Sequence, residues 1–205
     1  MSLYERYVLP HLIHVACGNS AIAKQRQKVV PLASGRVLEI GMGSGLNLPF
    51  YDRQKVEKVW GLEPSLGMRK KAARRVRESD LDLEWLDLPG EEIPLEDDSV
   101  DTVVLTYTLC TIPGWEPALE QMRRVLKPGG RMVFAEHGEA PDDGVRRWQQ
   151  RIEPMWKRIA GGCHLSRPIP RFLEQGGFAL DGLETMYLPG PKWASFNYWG
   201  QARAR

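Results

Sequence analysis

The sequence lacks a long uninterrupted apolar run. Its early apolar segment, residues 7–17, is broken by Pro10, His11 and His14. It is far shorter than the ~20 apolar residues that a membrane-spanning helix needs. The chain also lacks the basic start of a secretory signal. We therefore expect a soluble, cytoplasmic protein with no stable membrane insertion.

Cysteine and net charge are also scarce. The 205 residues include three cysteines and no C-x-x-C pair, which fits reduced thiols in a cytosol. The 28 basic and 26 acidic side chains leave a net charge of only +2, so composition gives no general argument for a nucleic-acid partner. Hydrophobic residues make up 42% of the chain, which excludes a disordered or collagen-like protein.

Short apolar runs alternate with segments of helical periodicity. They predict helices at 3–30, from Ser65 through Val76, and at 115–126, 148–159 and 169–175, and strands at 37–40, 58–62, 81–86, 100–106 and 131–135. Two further extended runs, 178–188 and 193–202, are joined by Pro189-Gly-Pro191 and predict a hairpin. This alternation predicts an α/β fold with a mostly parallel sheet and helices on both faces.

A glycine loop directly follows the first predicted strand. It reads Glu39-Ile-Gly41-Met-Gly43-Ser-Gly45, and such glycines let the backbone approach a ligand closely. A dinucleotide-binding loop has the pattern G-x-G-x-x-G, but Leu46 stands where its third glycine would fall. The carboxylate of Glu39 would repel a phosphate and suits a cationic ammonium group.

A second carboxylate, Glu63, ends the second predicted strand, 24 residues after Glu39. A carboxylate at that place can accept hydrogen bonds from both hydroxyls of a ribose. A glycine loop alone is often only a turn, and Glu63 alone is often a solvated strand end. Together, in this order, they predict a site for a nucleoside with an amino-acid tail, and S-adenosylmethionine fits that description.

Three motifs make the chain resemble the class I S-adenosylmethionine-dependent methyltransferases: residues 37–45, 90–101 and 125–130. Within that class, residues 109–112, 134–137 and 162–167 are similar to the methyltransferase-like alkyl-thiol methyltransferases and related bacterial enzymes. The resemblance covers residue 30 to the end. It implies a Rossmann-like, seven-stranded, mostly parallel sheet with helices on both faces and a C-terminal antiparallel hairpin.

The resemblance also implies S-adenosyl-L-methionine as cofactor and assigns residues to it from the methionine end to the adenine. These are Glu39, Gly41, Gly43, Gly45 and Asn47 near the amino-acid portion and ribose, Thr106 and Tyr107 beside the sulfonium, Glu63 at the ribose hydroxyls, and Pro64, Gly90 and Glu91 at the adenine.

No internal repeat or low-complexity linker divides the chain, so we expect one domain over residues 1–205. Within it, residues 1–30 are expected to form a helical cap and residues 31–140 the cofactor-binding half. Residues 141–205 are expected to form the substrate-side helices and the closing hairpin.

Methyl transfer mainly requires donor and nucleophile to be held in line, away from water, so a base is optional. His137, directly after the fifth strand, is the candidate general base, and a structural loop histidine is the alternative. His164 is a weaker candidate. Cys163 has no second cysteine or histidine at ligand spacing, so we expect a structural thiol and no metal site.

Other polar and aromatic groups have structural as well as functional interpretations. His11 and His14 could line a pocket mouth or simply pack. The basic run 69–77 is expected to form a solvated helix face. Four tryptophans in the last third are expected to fill core or to wall an apolar pocket: Trp148, Trp156, Trp193 and Trp199.

The combined prediction is an S-adenosylmethionine-dependent methyltransferase that acts on a small, apolar molecule by in-line transfer. One alternative is an NAD-dependent oxidoreductase, against which Glu39 and Leu46 argue. A second is a catalytically silent module that binds S-adenosylmethionine. A third is an RNA methyltransferase, which the balanced charge makes less favourable.

Overall fold

The computed structural model describes Tyr4 and residues 8–205. Seven strands form one sheet in the order β3-β2-β1-β4-β5-β7-β6. Strands β1 to β5 run parallel, whereas β7 pairs antiparallel with both β5 and β6. The strands are β1 Gly35–Ile40, β2 Val56–Leu62, β3 Leu83–Leu86, β4 Val100–Thr106, β5 Leu126–His137, β6 Phe178–Tyr187 and β7 Phe196–Ala204.

Seven α-helices lie among the described residues: α1 Leu9–Cys17, α2 Ser20–Val29, α3 Leu66–Ser79, α4 Trp115–Val125, α5 Asp143–Ile159, α6 Ile169–Gln175 and α7 Lys192–Ser195. The Rossmann-like sheet with its closing antiparallel hairpin is the fold predicted from the sequence, and that prediction is confirmed.

The core lies on both faces of the sheet. Central strands are apolar at consecutive positions because each of their faces is covered, as is usual in parallel sheets. On one face, Leu38 and Leu105 pack with Leu119 and Met122 of α4. On the other, residues such as Val37, Val59, Val104 and Val133 pack near the end of α2.

The strand order reverses between β1 and β4, which are neighbours in the sheet. Strands β2 and β3 lie on one side of β1. The chain then crosses over, and β4 and β5 lie on the other side. Ligands of open α/β sheets bind at this reversal, outside the carboxyl ends of the strands. The glycine loop after β1 and Tyr107 after β4 therefore lie at the same edge.

Several predicted elements differ from the observed ones. The N-terminal helix is broken at Gly18–Asn19, because the Asn19 side chain accepts hydrogen bonds from the backbone N–H groups of Ala21 and Ile22 and starts a new helix; positions 3 and 5–7 of the prediction lie outside the described residues. Strand β5 begins at Leu126, directly after α4. Helix α5 begins at Asp143, five residues earlier than expected.

The early start of β5 has a visible cause in the strand register. Leu126 pairs with Val100, and Arg131 pairs with Thr102, so the intervening Lys127–Gly130 segment is accommodated as a bulge within the strand. Gly129 and Gly130, which were expected to end the helix predicted at 115–126, instead lie inside the strand. The hairpin connection also differs, because α7 occupies residues 192–195 between β6 and β7.

Within the described part of the chain, none of the helices combines the length and apolar character that crossing a bilayer requires.

Candidate active site

The three loop glycines have different neighbours. All have positive φ angles, +63° at Gly41, +58° at Gly43 and +73° at Gly45. A Cβ at Gly41 would lie 2.4 Å from Thr108 Cγ2, and one at Gly45 would lie 2.9 Å from Leu48 Cδ1, so these two allow the loop to pack inward. A Cβ at Gly43 would instead lie 4.0 Å from Glu63 Oε2. Gly43 therefore keeps the space in front of that carboxylate clear.

Glu63 is held by two backbone amides. Its Oε2 accepts a hydrogen bond from Gly43 N at 2.9 Å, and its Oε1 accepts one from Ser65 N at 2.8 Å. Burial raises the pKa of its carboxyl, while these two amides oppose the rise. A carboxylate oxygen accepts about two hydrogen bonds, so each oxygen keeps one acceptor position. Pro64 lies exposed beside it.

Glu39 is completely enclosed, with 1% of its surface exposed. Its Oε1 accepts a hydrogen bond from Asn47 Nδ2 at 2.9 Å, and its Oε2 accepts one from the Tyr51 hydroxyl at 2.6 Å. Asn47 is itself fully buried behind the loop. The structure therefore places Asn47 as a support for Glu39.

Arg26 of α2 is the cation of this network, and no local pattern around it indicates this role. Its Nη1 donates to Asn47 Oδ1 at 2.8 Å and to Thr106 Oγ1 at 2.7 Å. The side chain is buried, and its Nε has no hydrogen-bond partner among the described residues. A buried donor without a partner costs about 1–3 kcal/mol, so this N–H is available to an anionic group of a ligand.

Burial raises the pKa of Glu39 to about 7, against the opposing effects of the Tyr51 hydrogen bond and the Arg26 charge. The neighbouring carboxylate of Glu63 adds to the rise. A cation placed near Glu39 would favour its ionised form. The charge state of this site is therefore sensitive to ligand and to pH near neutrality.

We call the space bordered by the glycine loop (residues 41–45) and Glu63 the crevice. Tyr107 lines a second hollow beside it. It has a left-handed backbone, with φ +55°, which is uncommon for a residue with a side chain. Its hydroxyl donates to Asn197 Oδ1 of β7 at 2.6 Å. Arg26 lies 5.2 Å from its ring centroid, and the His137 ring stacks at 6.4 Å. The preceding Thr106 is buried in the Arg26 network.

The loop after β3 approaches the end of β1 through Gly90, whose Cβ would lie 3.7 Å from Ile40 Cγ2. Glu91 contacts the start of α4, where its Oε1 accepts a hydrogen bond from Gly114 N at 2.9 Å. The structure thus gives Glu91 a partner that the sequence did not indicate, and it fixes the start of that helix.

Helix α1 lies across the glycine loop. His14 Nδ1 is 2.7 Å from Ser44 Oγ, and His11 Nδ1 is 2.8 Å from Lys71 Nζ on α3. The two histidines therefore contact the glycine loop, through Ser44, and helix α3, through Lys71. Part of the basic run on α3 is used in contacts of this kind, since Arg75 also donates to Ser44 O.

A cavity of about 270 Å³ lies on the other side of Tyr107. Its walls come from α1, the start of α2, the end of α5 and the connection between β6 and β7, and most are apolar: Ile13, Ala16, Ile22, Trp156, Leu165, Leu188, Pro189, Pro191 and Ala194. Of the four tryptophans singled out above, Trp156 lines this cavity, Trp199 is core, and Trp148 is 59% exposed.

Cys110, His137 and Cys163 meet in the floor of that cavity. His137 Nε2 lies 3.1 Å from Cys163 Sγ. The hydrogen bond from Cys110 and the His137 charge lower the pKa of Cys163, and the Cys163 charge in turn raises the pKa of His137 despite its burial. These three residues lie far apart in the sequence, so the spacing of neighbouring positions does not indicate that they meet.

His164 is not part of this floor. Its Nδ1 lies 3.1 Å from Glu153 Oε1, whose other oxygen accepts hydrogen bonds from the backbone of Leu165 and Ser166. The arrangement ties the turn after α5 to that helix.

Comparison with known proteins identifies the family. A family model described as a methyltransferase domain matches residues 38–134. The human thiol S-methyltransferase TMT1B is 38% identical over 167 residues, which cover 78% of this chain and 67% of that protein. Its rat counterpart is 36% identical over 162 residues, 77% of this chain and 65% of that protein. The chain therefore spans about two thirds of the length of these relatives.

This chain belongs to the S-adenosylmethionine-dependent methyltransferases.

Solved structures confirm the methyltransferase fold. A methyltransferase from Thermotoga maritima, described as a possible histamine N-methyltransferase, superposes with a TM-score of 0.67 at 20% identity and 98% coverage of both chains. A putative methyltransferase from Haloferax volcanii, in complex with the Trm112 activator, superposes with a TM-score of 0.71 at 19% identity, covering 98% of this chain and 96% of that one. Nothing in these comparisons favours a nicotinamide enzyme.

The residues present fit S-adenosylmethionine, the cofactor of this methyltransferase family. The free Nε of Arg26 and the negative Glu39 provide opposite charges for a zwitterionic amino-acid group. Glu63 retains acceptor positions for a diol, and Gly43 leaves the approach to it open.

Proposed function

We propose that this methyltransferase transfers the methyl group of S-adenosylmethionine to the sulfur of a small, apolar thiol. The observation that carries the proposal is the apolar cavity next to Tyr107, with two thiols and an imidazole in its floor. A cavity of this size and character suits a small apolar acceptor and offers little to a charged one. The thiol S-methyltransferase relatives support sulfur as the nucleophile.

The proposed donor site is the crevice between the ends of β1 and β4. Glu63 would accept hydrogen bonds from the ribose hydroxyls through its free acceptor positions, with Pro64 and Gly90 near the adenine. Arg26 would bind the carboxylate of the methionine portion, and Glu39 would balance its ammonium group. Gly41, Gly43 and Gly45 keep the loop close to this ligand, and Thr106 and Tyr107 are proposed to flank the sulfonium.

S-adenosylmethionine supplies an activated methyl group at its sulfonium. The protein has to orient the acceptor sulfur behind that carbon and keep water out. Tyr107 is suited to the first task because it borders both the crevice and the cavity, and its hydroxyl is fixed by Asn197. The apolar walls serve the second task.

His137 is the proposed catalytic residue. It lies in the cavity floor beside Cys163, where its imidazole would bring the acceptor sulfur to its anionic form. A thiol has an ordinary pKa of ~8.5, so only modest assistance is needed near neutral pH.

The decisive experiment offers the purified enzyme methyl-labelled S-adenosylmethionine with matched acceptors: an alkyl thiol, the alcohol and amine of the same carbon skeleton, a phenol and a quinone precursor. We expect label in the thioether and background levels for the others. Transfer to the alcohol, amine, phenol or quinone precursor with none to the thiol would refute sulfur as the nucleophile. Cofactor binding without transfer to any acceptor in a cell extract would indicate a silent module.

Cofactor affinity should depend on pH through Glu39. Its pKa of about 7 in the free protein should fall when the ammonium group binds, so affinity should rise between about pH 5.5 and 7.5 and then level off. The charged groups facing Glu39 are Arg26 and Glu63, and Tyr51 is its hydrogen-bonded neighbour. Calorimetry on the wild type and Glu39→Gln should show the rise only in the wild type. An equal rise in both would contradict a charge role for Glu39.

The three cysteines are free thiols, and this supports a reducing, cytoplasmic location. The basic run of α3 is partly engaged with α1 and the glycine loop, and this supports a small-molecule acceptor over nucleic acid.

A further inference from the structure

The cavity floor contains a three-sided arrangement of soft ligands. Cys110 lies in the loop after β4, His137 ends β5, and Cys163 lies in the turn after α5. One ligand atom from each residue lies within 4.8 Å of the other two. Three separate parts of the fold are therefore positioned to bring two sulfurs and one imidazole nitrogen to a single point.

We propose that Cys110, His137 and Cys163 bind a zinc ion whose fourth position faces the cavity and takes the sulfur of the acceptor. Two thiolates and an imidazole are a donor set that Zn²⁺ prefers. Three protein ligands with one open position are the usual arrangement of catalytic zinc, whereas structural zinc has four. Among the described residues, no fourth histidine, cysteine or carboxylate joins the cluster.

The spacing agrees with tetrahedral coordination. Zn–S bonds of about 2.3 Å and Zn–N bonds of about 2.0–2.1 Å put the ligand atoms about 3.5–3.8 Å apart. The 3.1 Å between His137 Nε2 and Cys163 Sγ has to open by a few tenths of an ångström, and all three atoms already lie within 4.8 Å. Small side-chain rotations are sufficient for this change.

A histidine–cysteine pair alone does not account for two observations. Cys110 is fully buried, with 2% of its surface exposed, yet its sulfur is directed at the same point. The indole N–H of Trp156 has no hydrogen-bond partner in the described part of the chain, and Trp156 lines the same cavity as Cys163. An unpartnered N–H in the wall of this cavity suits a neighbouring thiolate that carries negative charge, as a metal-bound thiolate does.

The zinc site deepens the proposed thiol methylation and rests on it for the acceptor, but not for the metal itself. With zinc bound, His137 acts as a ligand in place of the base role proposed above, and the acceptor R–SH loses its proton to solvent when its sulfur binds the metal. A lone pair of that sulfur then forms the new S–CH₃ bond while the C–S bond of the sulfonium donor breaks and its electron pair stays on the donor sulfur. The neutral thioether is a weaker ligand and leaves.

Cobalt(II) is a suitable probe because its thiolate complexes absorb light. We expect the reduced, metal-free wild type to bind one Co²⁺ per chain with a sulfur-to-cobalt charge-transfer band, and to bind zinc in the same stoichiometry by elemental analysis. Cys110→Ser and Cys163→Ser should lose most of that band. Cys17→Ser is the matched control, since Cys17 lines the same cavity outside the cluster, and it should keep the band.

A second measurement tests the open coordination position of the metal. Adding an alkyl thiol to the cobalt-loaded wild type should strengthen the charge-transfer band, because a third Co–S bond forms, whereas the matching alcohol should leave it unchanged. No metal bound by the wild type, or equal binding by Cys163→Ser, would overturn the proposal. A folded Cys163→Ser protein confirmed by circular dichroism makes that comparison valid.

The two proposals can fail separately. Thiol methylation at wild-type rate by metal-free enzyme would remove the zinc proposal and leave the methyltransferase intact. One cobalt per chain with the expected variants, but no labelled thioether, would keep the metal site and refute the thiol acceptor.

Discussion

Gly43→Val is expected to lower the affinity for S-adenosylmethionine by roughly 100-fold, about 2.7 kcal/mol, or more. The valine Cβ would lie 4.0 Å from Glu63 Oε2, and its methyl groups would fill the space through which a ribose reaches that carboxylate. The residue also has a φ of +58°, which a β-branched side chain rarely adopts. Isothermal titration calorimetry with S-adenosylmethionine is the direct measurement.

The fold should survive this change. The closest atom to the new Cβ is Met68 Cε at 3.3 Å, the flexible end of a side chain, so the strain is expected to cost about 1–3 kcal/mol. Gly144→Val is the matched control, since nothing lies within 4 Å of a Cβ at that exposed position. Unchanged affinity in a folded Gly43→Val protein would mean that the cofactor does not approach along this loop.

Removal of the Glu63 carboxylate by Glu63→Ala is expected to weaken cofactor binding by about 1–3 kcal/mol, or roughly 5- to 150-fold. The carboxylate is nearly buried and orients its two oxygens with the amides of Gly43 and Ser65, so its free acceptor positions are fixed before the ligand arrives. Adenosine affinity should fall with that of the whole cofactor, since both contain the ribose.

Glu57→Ala provides the comparison for this variant. Glu57 is an exposed carboxylate at the opposite end of β2, so its loss changes net charge by the same amount without touching the crevice. Equal affinities for the Glu63 and Glu57 variants would place the ribose elsewhere. Loss of methionine affinity with unchanged adenosine affinity would also contradict the assignment.

The fold was predictable where local pattern and tertiary packing agree. Strand β4 spans residues 100–106 as predicted, because its consecutive apolar residues suit a strand covered on both faces. The start of β5 was not predictable, because Pro128-Gly-Gly130 indicates a turn locally. Pairing of Leu126 with Val100 nevertheless makes the strand begin before these residues. Asn19 broke the N-terminal helix through a side-chain cap within an otherwise helical pattern.

The candidate site likewise contains residues that the local sequence predicts and residues that it does not. Gly43 and Glu63 follow strands at fixed spacing, so sequence alone marked them, and the structure brings them within one hydrogen bond of each other. Arg26 and Tyr51 belong to the Glu39 network through contacts between distant elements, which leave no periodic signal. Asn47 and Glu91 were also assigned to the cofactor; their side chains bond to protein groups, and their contact with the cofactor stays a prediction.

The cavity proposed to hold the acceptor lies largely outside the part of the chain that the family model matches. The family match covers residues 38–134, yet most of the cavity walls come from α1, α5 and the segment between β6 and β7, outside that range. Mutations in those segments reshape the space for the incoming molecule while leaving the glycine loop and Glu63 unaltered. Under the proposed function, new substrates are therefore accessible through drift in these outer segments, with the glycine loop and Glu63 retained.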